Sequence, residues 1–542
     1  MSRTLRLLSI LPLVLAAACT ATPPSATPAP PPTPTPAPLR APENPPDDGA
    51  RVPLRPTPPL PESKFPPSQL SDAVEDPSPS AEAELLPGEM AVLLDGAPFP
   101  EKKTYDPKFP EARRIRYVAA DASGPGDGSQ ENPWKDLQEA LCKLEPGDRL
   151  LLAAGIYEGA FRVAGPCLSG TAGAPIQVFA RHAFLKPAGA GDVLTLERAH
   201  WQFWEMQIAL LDSDSAGLVV IGADAHDVAV DQSHISEGNG PAVRIGPGSA
   251  RVTVSNCHIH QSRGVRIEAG SSSATLVNNH IHHNRSASVS IGTGEAGTAQ
   301  GVTIEGNRIH SDRGPALDLT NCEKVTLSRN RLSNYRLGDE EEEDAGGEAV
   351  RLRAGCRDVT FESNSVREST VAVRIGDPED GRPDPPEKIF LHHNYFENRL
   401  TAESTALRID RGRDVRFYNN VIDRYADPFV IAASGVQRVW IANNLVLAPK
   451  RAFTLLSPDA VAVFDYNVFG APSALPAVVA EDRVAASTWI KGHMPHSRLV
   501  PGAGLSGRDL NRIVGFSAVD AGSAVEGIPF RGKAPDIGVA ER

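Results

Sequence analysis

The 542-residue sequence lacks several features that large classes of proteins need. Its only extended apolar run lies at the N-terminus and is shorter than the ~20 residues that cross a bilayer as a helix, which excludes a polytopic membrane protein. Lys and Arg number 54 against 67 Asp and Glu, and the net charge of −13 argues against a general nucleic-acid binder. Only six cysteines are present, and none has the CxxC spacing of a zinc site.

Proline, by contrast, is abundant, with 49 residues, many of them in the first hundred positions. Hydrophobic periodicity is almost absent from 19–111, so this segment cannot bury enough apolar surface to offset its ordering entropy. The pattern predicts a disordered linker that favours extended polyproline II and acts as a spacer. The remaining residues, 112–542, are ample for one large folded domain.

The first 18 residues have the pattern of an export signal, with two arginines ahead of an apolar run from Leu7 to Ala18. The segment Ala16–Cys19 resembles a bacterial lipobox, which implies that Cys19 is lipidated and tethers the protein to a membrane through lipid alone. By the same resemblance, Thr20 implies sorting to the outer membrane of the cell envelope. The alternative is ordinary cleavage before Cys19, followed by secretion.

Five cysteines follow Cys19, in a chain whose expected compartment allows disulfides to persist. Cys142 and Cys167 lie at the start of the folded region, where a disulfide could staple its cap. Cys322 and Cys356 occupy equivalent places in successive repeats and form a second candidate pair. Cys257 is interpreted as buried packing.

An internal repeat gives the strongest signal. Each copy has an apolar residue, two further residues, usually an Asn, one residue, and a second apolar residue. The basal spacing is 22 to 24 residues, with longer steps at insertions. Full copies are centred on Asn279, Asn307, Asn330, Asn364, Asn394, Asn420, Asn444 and Asn467, and weaker copies on Met206, Ser233 and Cys257. The repeat predicts a parallel β-solenoid with three short strands per coil and coils ~4.8 Å apart. Asn suits the tight turn because its amide can bond the turn backbone and the amide of the next coil.

The chain resembles the right-handed parallel β-helix, or pectate-lyase-like, superfamily. A glycine-rich segment at Gly124–Gly128 and a short amphipathic helix at Leu137–Leu144 are similar to that family's N-terminal cap, and the likeness runs from about Arg114 to Ala540. The resemblance implies an all-β solenoid of about 10–12 coils. It does not fix an activity, since the superfamily holds lyases, hydrolases, epimerases and non-catalytic adhesins.

In that family the outer face of the first strand of each coil forms the floor of the substrate groove. Here its outward residues are Arg244, Arg266, Ser290, Asp318, Arg351, Arg374 and Arg408. Stacked cations ~5 Å apart repel by about 1 kcal/mol per pair even in water, so something must offset the repulsion. One alternative is local acid from Glu268 and Asp410. The other is a polyanionic polysaccharide, with Arg244, Arg266, Arg351 and Arg408 binding its carboxylates or sulfates.

A narrower resemblance concerns the chondroitinase-B and alginate-lyase group. The stretch Glu348–Arg353, followed one coil later by Arg374, is similar to that group's Ca²⁺-binding and catalytic motif. The resemblance implies Glu348 as a metal ligand, with Ca²⁺ as the candidate cofactor. It also implies Arg353 at the base position and Arg374 as its partner, and Asp318 completes the candidate catalytic set. The sequence departs from the motif at two positions, because Arg353 replaces Lys and Ile375 replaces His. A guanidinium hardly deprotonates at neutral pH, so the base of the motif has no clear counterpart here.

Two acidic insertions flank the same strands, at Gly338–Glu348 and Asp377–Glu387. Clustered carboxylates of this kind either hold Ca²⁺ or form solvated loops. Histidines form two further rows, with His234, His258 and His280 in one and His260, His282 and His310 in the other. These rows predict either a transition-metal site or a common turn-exit sequence of this fold.

Together these observations predict an exported, tethered, monomeric β-helix that binds anionic polysaccharide, with cleavage by β-elimination as its candidate reaction. The main alternative is a non-enzymatic structural or adhesive module of the envelope or matrix. A glycoside hydrolase fits less well, because Glu268 and Asp318 are roughly 12 Å apart by strand geometry, beyond the separation that paired catalytic carboxylates need.

Overall fold

The computed structural model describes residues 111–538, except for 190, 210–216, 295–296, 336–346, 400–402, 433, 507–508, 515–520 and 526–532. The predicted export signal (1–18), Cys19 and nearly all of the predicted linker (19–111) lie outside the described residues. The same holds for most of the acidic insertion at Gly338–Glu348. No helix in the described ranges is both long enough and apolar enough to cross a membrane.

The repeat folds as an all-β parallel solenoid of about 12 turns, which confirms the predicted architecture. Each coil contributes one strand to each of three sheets, which we call the first, second and third sheets. Their strands are parallel except for Asp482–Ala485, the last strand of the first sheet. The Asn turn joins a second-sheet strand to a third-sheet strand. The arginine positions fall on the next strand, in the first sheet, as the repeat predicts.

The strands of the first sheet are Phe161–Val163, Leu194–Leu196, Val219–Ile221, Val243–Ile245, Val265–Glu268, Val289–Thr293, Leu317–Leu319, Glu348–Leu352, Val371–Ile375, Thr405–Ile409, Asp427–Ile431, Thr454–Leu455, Pro476–Val479 and Asp482–Ala485. Those of the second sheet are Arg114–Val118, Asp148–Leu152, Ile176–Phe179, Trp201–Trp204, His226–Asp231, Ala250–Ser255, Thr275–Val277, Ala299–Gln300, Thr303–Glu305, Cys322–Ser328, Arg357–Glu362, Glu387–His392, Gly412–Tyr418, Val436–Ala442 and Val461–Asp465.

The strands of the third sheet are Gly155–Glu158, Ala183–Lys186, Gln207–Ala209, His234–Ser236, His258–His260, His280–His282, Arg308–His310, Arg331–Tyr335, Ser365–Ser369, Tyr395–Glu397, Val421–Asp423, Leu445–Leu447, Val468–Gly470 and Arg498–Leu499. The other elements are the α-helices Leu137–Lys143 and Ala486–His493, the 3₁₀ turns Pro378–Asp380 and Pro458–Ala460, and a hairpin of Gly504–Ser506 with Asp509–Val514.

Alternation along each short strand creates the core, because successive side chains of a strand point to opposite faces. Val265 and Ile267 are fully buried while Arg266 between them is partly exposed. The same pattern recurs in coil after coil and gives a continuous apolar interior.

A ladder of buried asparagines connects the coils at the tight turn, as predicted. Asn330 Oδ1 accepts hydrogen bonds from the backbone N–H and the side-chain amide of Asn307, both at 3.0 Å, and Asn330 Nδ2 donates to Ile304 O at 2.8 Å. The equivalent inter-coil bond is made along Asn279, Asn307, Asn330, Asn364, Asn394, Asn420, Asn444 and Asn467. Each rung therefore satisfies backbone and side-chain groups that water cannot reach.

The first coil is capped by the helix Leu137–Lys143, one residue shorter than predicted. Asp136 caps it by accepting a hydrogen bond from the Glu139 backbone N–H at 2.7 Å, and the helix buries Leu137 and Leu141 against the coil. A disulfide joins Cys142 in this helix to Cys167.

Cys322 and Cys356, the second candidate pair, are both free and buried. Their sulfur atoms are 3.2 Å apart, well beyond the roughly 2.05 Å of a disulfide bond. The two residues do face each other in successive coils, as the repeat predicts, but as a thiol pair. Cys257 is also buried and free.

A C-terminal segment covers part of the outer face of the third sheet. Ile537 is 3% exposed and packs against a row of apolar residues from successive coils. That row consists of Tyr395, Val421, Leu445 and Val468, with Leu447 beside it. Asn443 fastens the segment by exchanging hydrogen bonds of 2.8 Å with the backbone of Ser523.

Candidate functional site

The outward residues of the first sheet stack in the predicted register. Arg244 pairs with Arg266, Arg266 with Ser290, and Ser290 with Asp318. The row continues with Arg351, Arg374 and Arg408 in successive strands. The parallel pairing therefore brings all seven residues into one line across the face of the sheet.

A chain of ion pairs holds the central arginines of this row. Glu348 accepts hydrogen bonds from Arg351 and, at 2.9 Å, from Arg374. Asp410 accepts from Arg374 at 2.8 Å and from Arg408 at 2.9 Å. Burial lowers the pKa of Arg374, but its hydrogen bonds to Glu348 and Asp410 outweigh that effect, and the pKa of Arg374 is raised overall. Three guanidinium groups are thus bridged by two carboxylates, and Arg374 stays charged.

Asp318 forms a separate pair with Arg353, whose Nε donates to Asp318 Oδ1 at 3.0 Å. Burial raises the pKa of the Asp318 carboxyl, while Arg353 and Arg351 act to lower it. At the other end of the row, Arg244 makes two hydrogen bonds to Glu268, at 2.9 and 3.2 Å. The predicted catalytic residues therefore fall into two ion-paired groups, Asp318 with Arg353 and Arg374 with its two carboxylates.

Repulsion between the stacked arginines can be offset by carboxylates of the protein or by a bound polyanion, and the contacts above show how much the protein itself supplies. Local carboxylates pair with Arg244, Arg351, Arg374 and Arg408, so much of the repulsion is relieved within the protein. The sequence predicts Glu268 and Asp410 as such counter-charges, and both make these pairs. Glu348, which the resemblance implies as a metal ligand, also acts as a counter-charge.

Ca²⁺ does not fit the residues described around Glu348. Ca²⁺ takes about six to eight oxygen ligands, whereas both Glu348 oxygens accept hydrogen bonds from guanidinium groups. Two cations in contact with the carboxylate would also repel a divalent ion. The acidic residues at 339–344 lie outside the described residues.

Beside the row, a cleft of about 620 Å³ opens where the turns enter the first-sheet strands. Four cationic side chains line it, against two carboxylates. The cations are Arg408, Lys450, Arg451 and Arg483, and the carboxylates are Glu403 and Asp427. Arg451 pairs with Asp427 at 2.9 Å, and Thr370, Ser404 and Thr405 add hydroxyl groups. The cleft thus carries excess positive charge on a protein whose net charge is −13, and it joins the row through Arg408.

Sequence reasoning did not find Lys450, Arg451 and Arg483. None of them occupies the outward position of a repeat, so the alternation that predicts the exposed arginine row does not predict that these three side chains are exposed. The adjacent cations Lys450 and Arg451, separated by two residues from the first-sheet strand Thr454–Leu455, are the one signal that the sequence offers.

Residues 209–366 match a family model described as "Right handed beta helix region". The fold is a right-handed parallel β-helix. No curated protein sequence matches the chain.

Among solved structures, this β-helix is similar to an alginate lyase from Paenibacillus sp., at 15% identity and TM-score 0.40, covering 56% of this chain and 100% of that one. It is similar to a pectate lyase at 16% identity and TM-score 0.41, covering 80% and 97% of the two chains. A surface adhesin of Streptococcus pneumoniae gives 13% identity and TM-score 0.44, covering 63% and 94%. At these identities the likeness is one of fold.

Proposed function

We propose that the protein binds an acidic polysaccharide along the outer face of the first sheet, with the cleft at Arg408 as its principal subsite. The cationic cleft carries this proposal, because an excess of Lys and Arg on an acidic protein concentrates an anionic ligand locally. The guanidinium group of arginine can donate two parallel hydrogen bonds to a carboxylate or sulfate, and the hydroxyl groups of Ser404 and Thr405 can hydrogen-bond to sugar hydroxyls.

The ion-paired row extends this surface beyond the cleft. Arg408 is 44% exposed at its side chain and belongs to both the cleft and the row. An extended polymer lying in the cleft would continue over Arg374 and Arg351 toward Asp318. At these positions the ligand would exchange hydrogen bonds with side chains that are already fixed by their partners, which limits the entropy lost on binding.

The geometry favours binding over cleavage. β-Elimination needs a base at the proton to be removed, and Arg353 and Arg374 are both held as charged donors to carboxylates. We therefore assign the site a binding role and treat cleavage as an outcome of the experiment.

We also propose that the protein is exported and tethered to the cell envelope through lipid on Cys19. Support comes from the N-terminal sequence, in which an apolar run ends in a lipobox-like segment followed by a proline-rich spacer. Mass spectrometry of the mature N-terminus would test this. An unmodified Cys19, or a mature chain that begins elsewhere, would refute it.

The binding proposal is tested with the full-length protein against pectate, alginate, chondroitin and heparin-type chains, and against a neutral polysaccharide. The variant Lys450→Ala/Arg483→Ala removes two exposed cations of the cleft, and Lys491→Ala removes an exposed cation on the C-terminal helix as a matched control. We expect affinity for at least one acidic chain to fall about tenfold in the double variant, and binding to weaken with salt. Affinity should be unchanged in the control.

Equal affinity for the neutral chain, or full affinity in the double variant, would refute the proposal. Ultraviolet absorbance of unsaturated uronate, followed on the same samples, separates binding from cleavage. New absorbance that disappears in Arg374→Ala would show a lyase centred on the arginine row.

A further inference from the structure

Six histidines form a two-column array on the outer face of the third sheet. They are contributed by four successive strands of that sheet. The first column contains His234, His258 and His280 and is followed in register by Arg308, and the second column contains His260, His282 and His310. The array consists of His234, His258, His260, His280, His282 and His310. Within each column the rings stack, with centroids 4.9 to 5.1 Å apart. This face lies on a different sheet from the arginine row, and the polysaccharide proposal makes no use of it.

The imidazole nitrogens converge along the diagonals of the array. His234 Nε2 lies 2.8 Å from His260 Nε2, His258 Nε2 lies 2.7 Å from His282 Nε2, and His280 Nε2 lies 2.9 Å from His310 Nε2. Two imidazoles at this distance either share one proton or direct both lone pairs toward one cation.

Two groups of three histidines bring their ligand atoms within 4.8 Å of one another. One group is His234, His258 and His260, and the other is His258, His280 and His282. His258 belongs to both groups, so the two groups share a ligand. This sharing predicts a stoichiometry of about one ion per array.

We propose that the histidine array binds one divalent transition-metal ion, Cu²⁺ in preference to Zn²⁺, with His258 as the central ligand. Imidazole donors suit both ions, and the affinity of nitrogen sites for divalent first-row metals is generally highest for Cu²⁺. Arg308 closes one end of the first column with a positive charge, so the ion is placed toward His234, His258 and His260 rather than His310.

The experiment uses the untagged full-length protein, stripped with chelator and titrated with CuSO₄, NiCl₂ or ZnCl₂ at pH 7 by isothermal titration calorimetry. We expect about one Cu²⁺ per chain, and an electron paramagnetic resonance spectrum with nitrogen hyperfine structure. His258→Gln should weaken Cu²⁺ binding by more than ~10-fold, because loss of a ligand costs more than loss of an outer partner, which typically costs 10–100-fold. His493→Gln, which alters an exposed histidine on the C-terminal helix, should have wild-type affinity.

Three results would each overturn the proposal: no saturable binding, an electron paramagnetic resonance spectrum without nitrogen hyperfine structure, or equal Cu²⁺ affinity in His258→Gln and the wild type. Tighter binding of Zn²⁺ than of Cu²⁺ would overturn the preference stated. Circular dichroism of the metal-free variants shows whether they fold. If His258→Gln does not, His260→Gln/His282→Gln removes one ligand from each group and is expected to give the same loss of affinity.

Discussion

Glu348 is the residue on which the charge balance of the first sheet depends most directly. Its side chain is 5% exposed, and one carboxylate serves Arg351 in its own strand and Arg374 in the next coil. The contact between coils spans 26 residues of sequence. A single carboxylate therefore couples two coils electrostatically as well as by their backbone hydrogen bonds.

Replacing this residue tests that coupling. Glu348→Gln removes the counter-charge of the partly buried Arg351 and leaves Arg374 with Asp410 as its nearest counter-charge, so we expect the free energy of unfolding to fall by about 3 kcal/mol, the usual cost of breaking a buried pair. Urea unfolding at pH 7 gives the measurement. Glu158→Gln changes a carboxylate that is 55% exposed in its pair with Lys186, and should cost less than about 1 kcal/mol. Similar losses in the two variants would contradict the central role of Glu348.

Buried histidines make stability depend on pH. Burial lowers the pKa of His392 to about 4 and of His393 to about 3, against about 6.5 in the unfolded chain. A lowered folded-state pKa means that stability present above about pH 6.5 is lost as the pH falls toward 4, because the unfolded chain takes up protons first. His392 alone should contribute about 2 kcal/mol of loss between pH 7 and pH 4.5.

The prediction is checked by urea unfolding of wild type and His392→Gln at the two pH values, where the variant should show the smaller difference. Asp312 acts in the opposite direction, because burial raises its pKa to about 6, so its contribution is lost as the pH rises from about 4 to 6. An unfolding free energy that does not fall on acidification would show that the histidines do not dominate.

The sequence predicts the arginine row well because inward and outward positions of a strand follow from local alternation. The outward direction of the Arg374 side chain follows from its place between Val373 and Ile375, which are both buried. The pairing of Glu348 with Arg374 was missed, since it depends on how side chains bend between coils. The cleft was also missed, because Arg483 reaches it from a strand that runs antiparallel to the rest of its sheet.

At the scale of an element, the asparagine turn is the feature that sequence and structure share most closely. The spacing predicts both its position and its bonds, because the same geometry recurs in every coil. The residue before each ladder Asn has a left-handed backbone, as at Arg329 with φ 57° and Ser363 with φ 54°. Residues other than Gly seldom adopt this backbone conformation. The hydrogen bonds of the asparagine ladder therefore stabilise the turn against the backbone preference of these residues.

Removing one rung shows what the ladder contributes. Asn364 is fully buried, and its Oδ1 accepts from the backbone N–H of Asn330 at 2.9 Å and from its side-chain amide at 3.0 Å. Asn364→Ala leaves those buried donors short of an acceptor, so we expect a loss of about 3 kcal/mol or more in the free energy of unfolding. Denaturant titration measures it, with Asn239→Ala, at an exposed position, as the control. A loss below about 1 kcal/mol would mean that water or a neighbouring side chain replaces the rung.

At the scale of the whole molecule, the third sheet changes character along its length. Its outer face carries histidines in the coils from His234 to His310 and apolar side chains in the coils from Tyr395 to Val468. The C-terminal segment covers the apolar part through Ile537. The repeat does not predict this cover, because it depends on residues that belong to no coil.

Detaching the cover should expose the apolar row. In Ile537→Asp, a charge replaces a buried side chain, which costs about 2–3 kcal/mol in lost burial alone, so we expect the segment to separate from the sheet. Limited proteolysis followed by mass spectrometry should then show faster cleavage after residue 520, together with increased binding of a hydrophobic dye. Ile115→Asp, at a side chain that is already 47% exposed, should behave as wild type. Unchanged proteolysis of Ile537→Asp would mean that Asn443 and Ser523 hold the segment without it.

The last strand of the first sheet, Asp482–Ala485, runs antiparallel to its neighbour Pro476–Val479, and the helix Ala486–His493 follows directly. A stack of identical parallel coils presents unpaired strand edges at its end, and such edges can template the addition of another chain. Here an incoming coil would have to pair antiparallel with Asp482–Ala485 in the first sheet while it paired parallel in the other two sheets, which the geometry of a regular coil does not provide. The same device that ends the solenoid therefore also disfavours its growth, end to end, into a fibre.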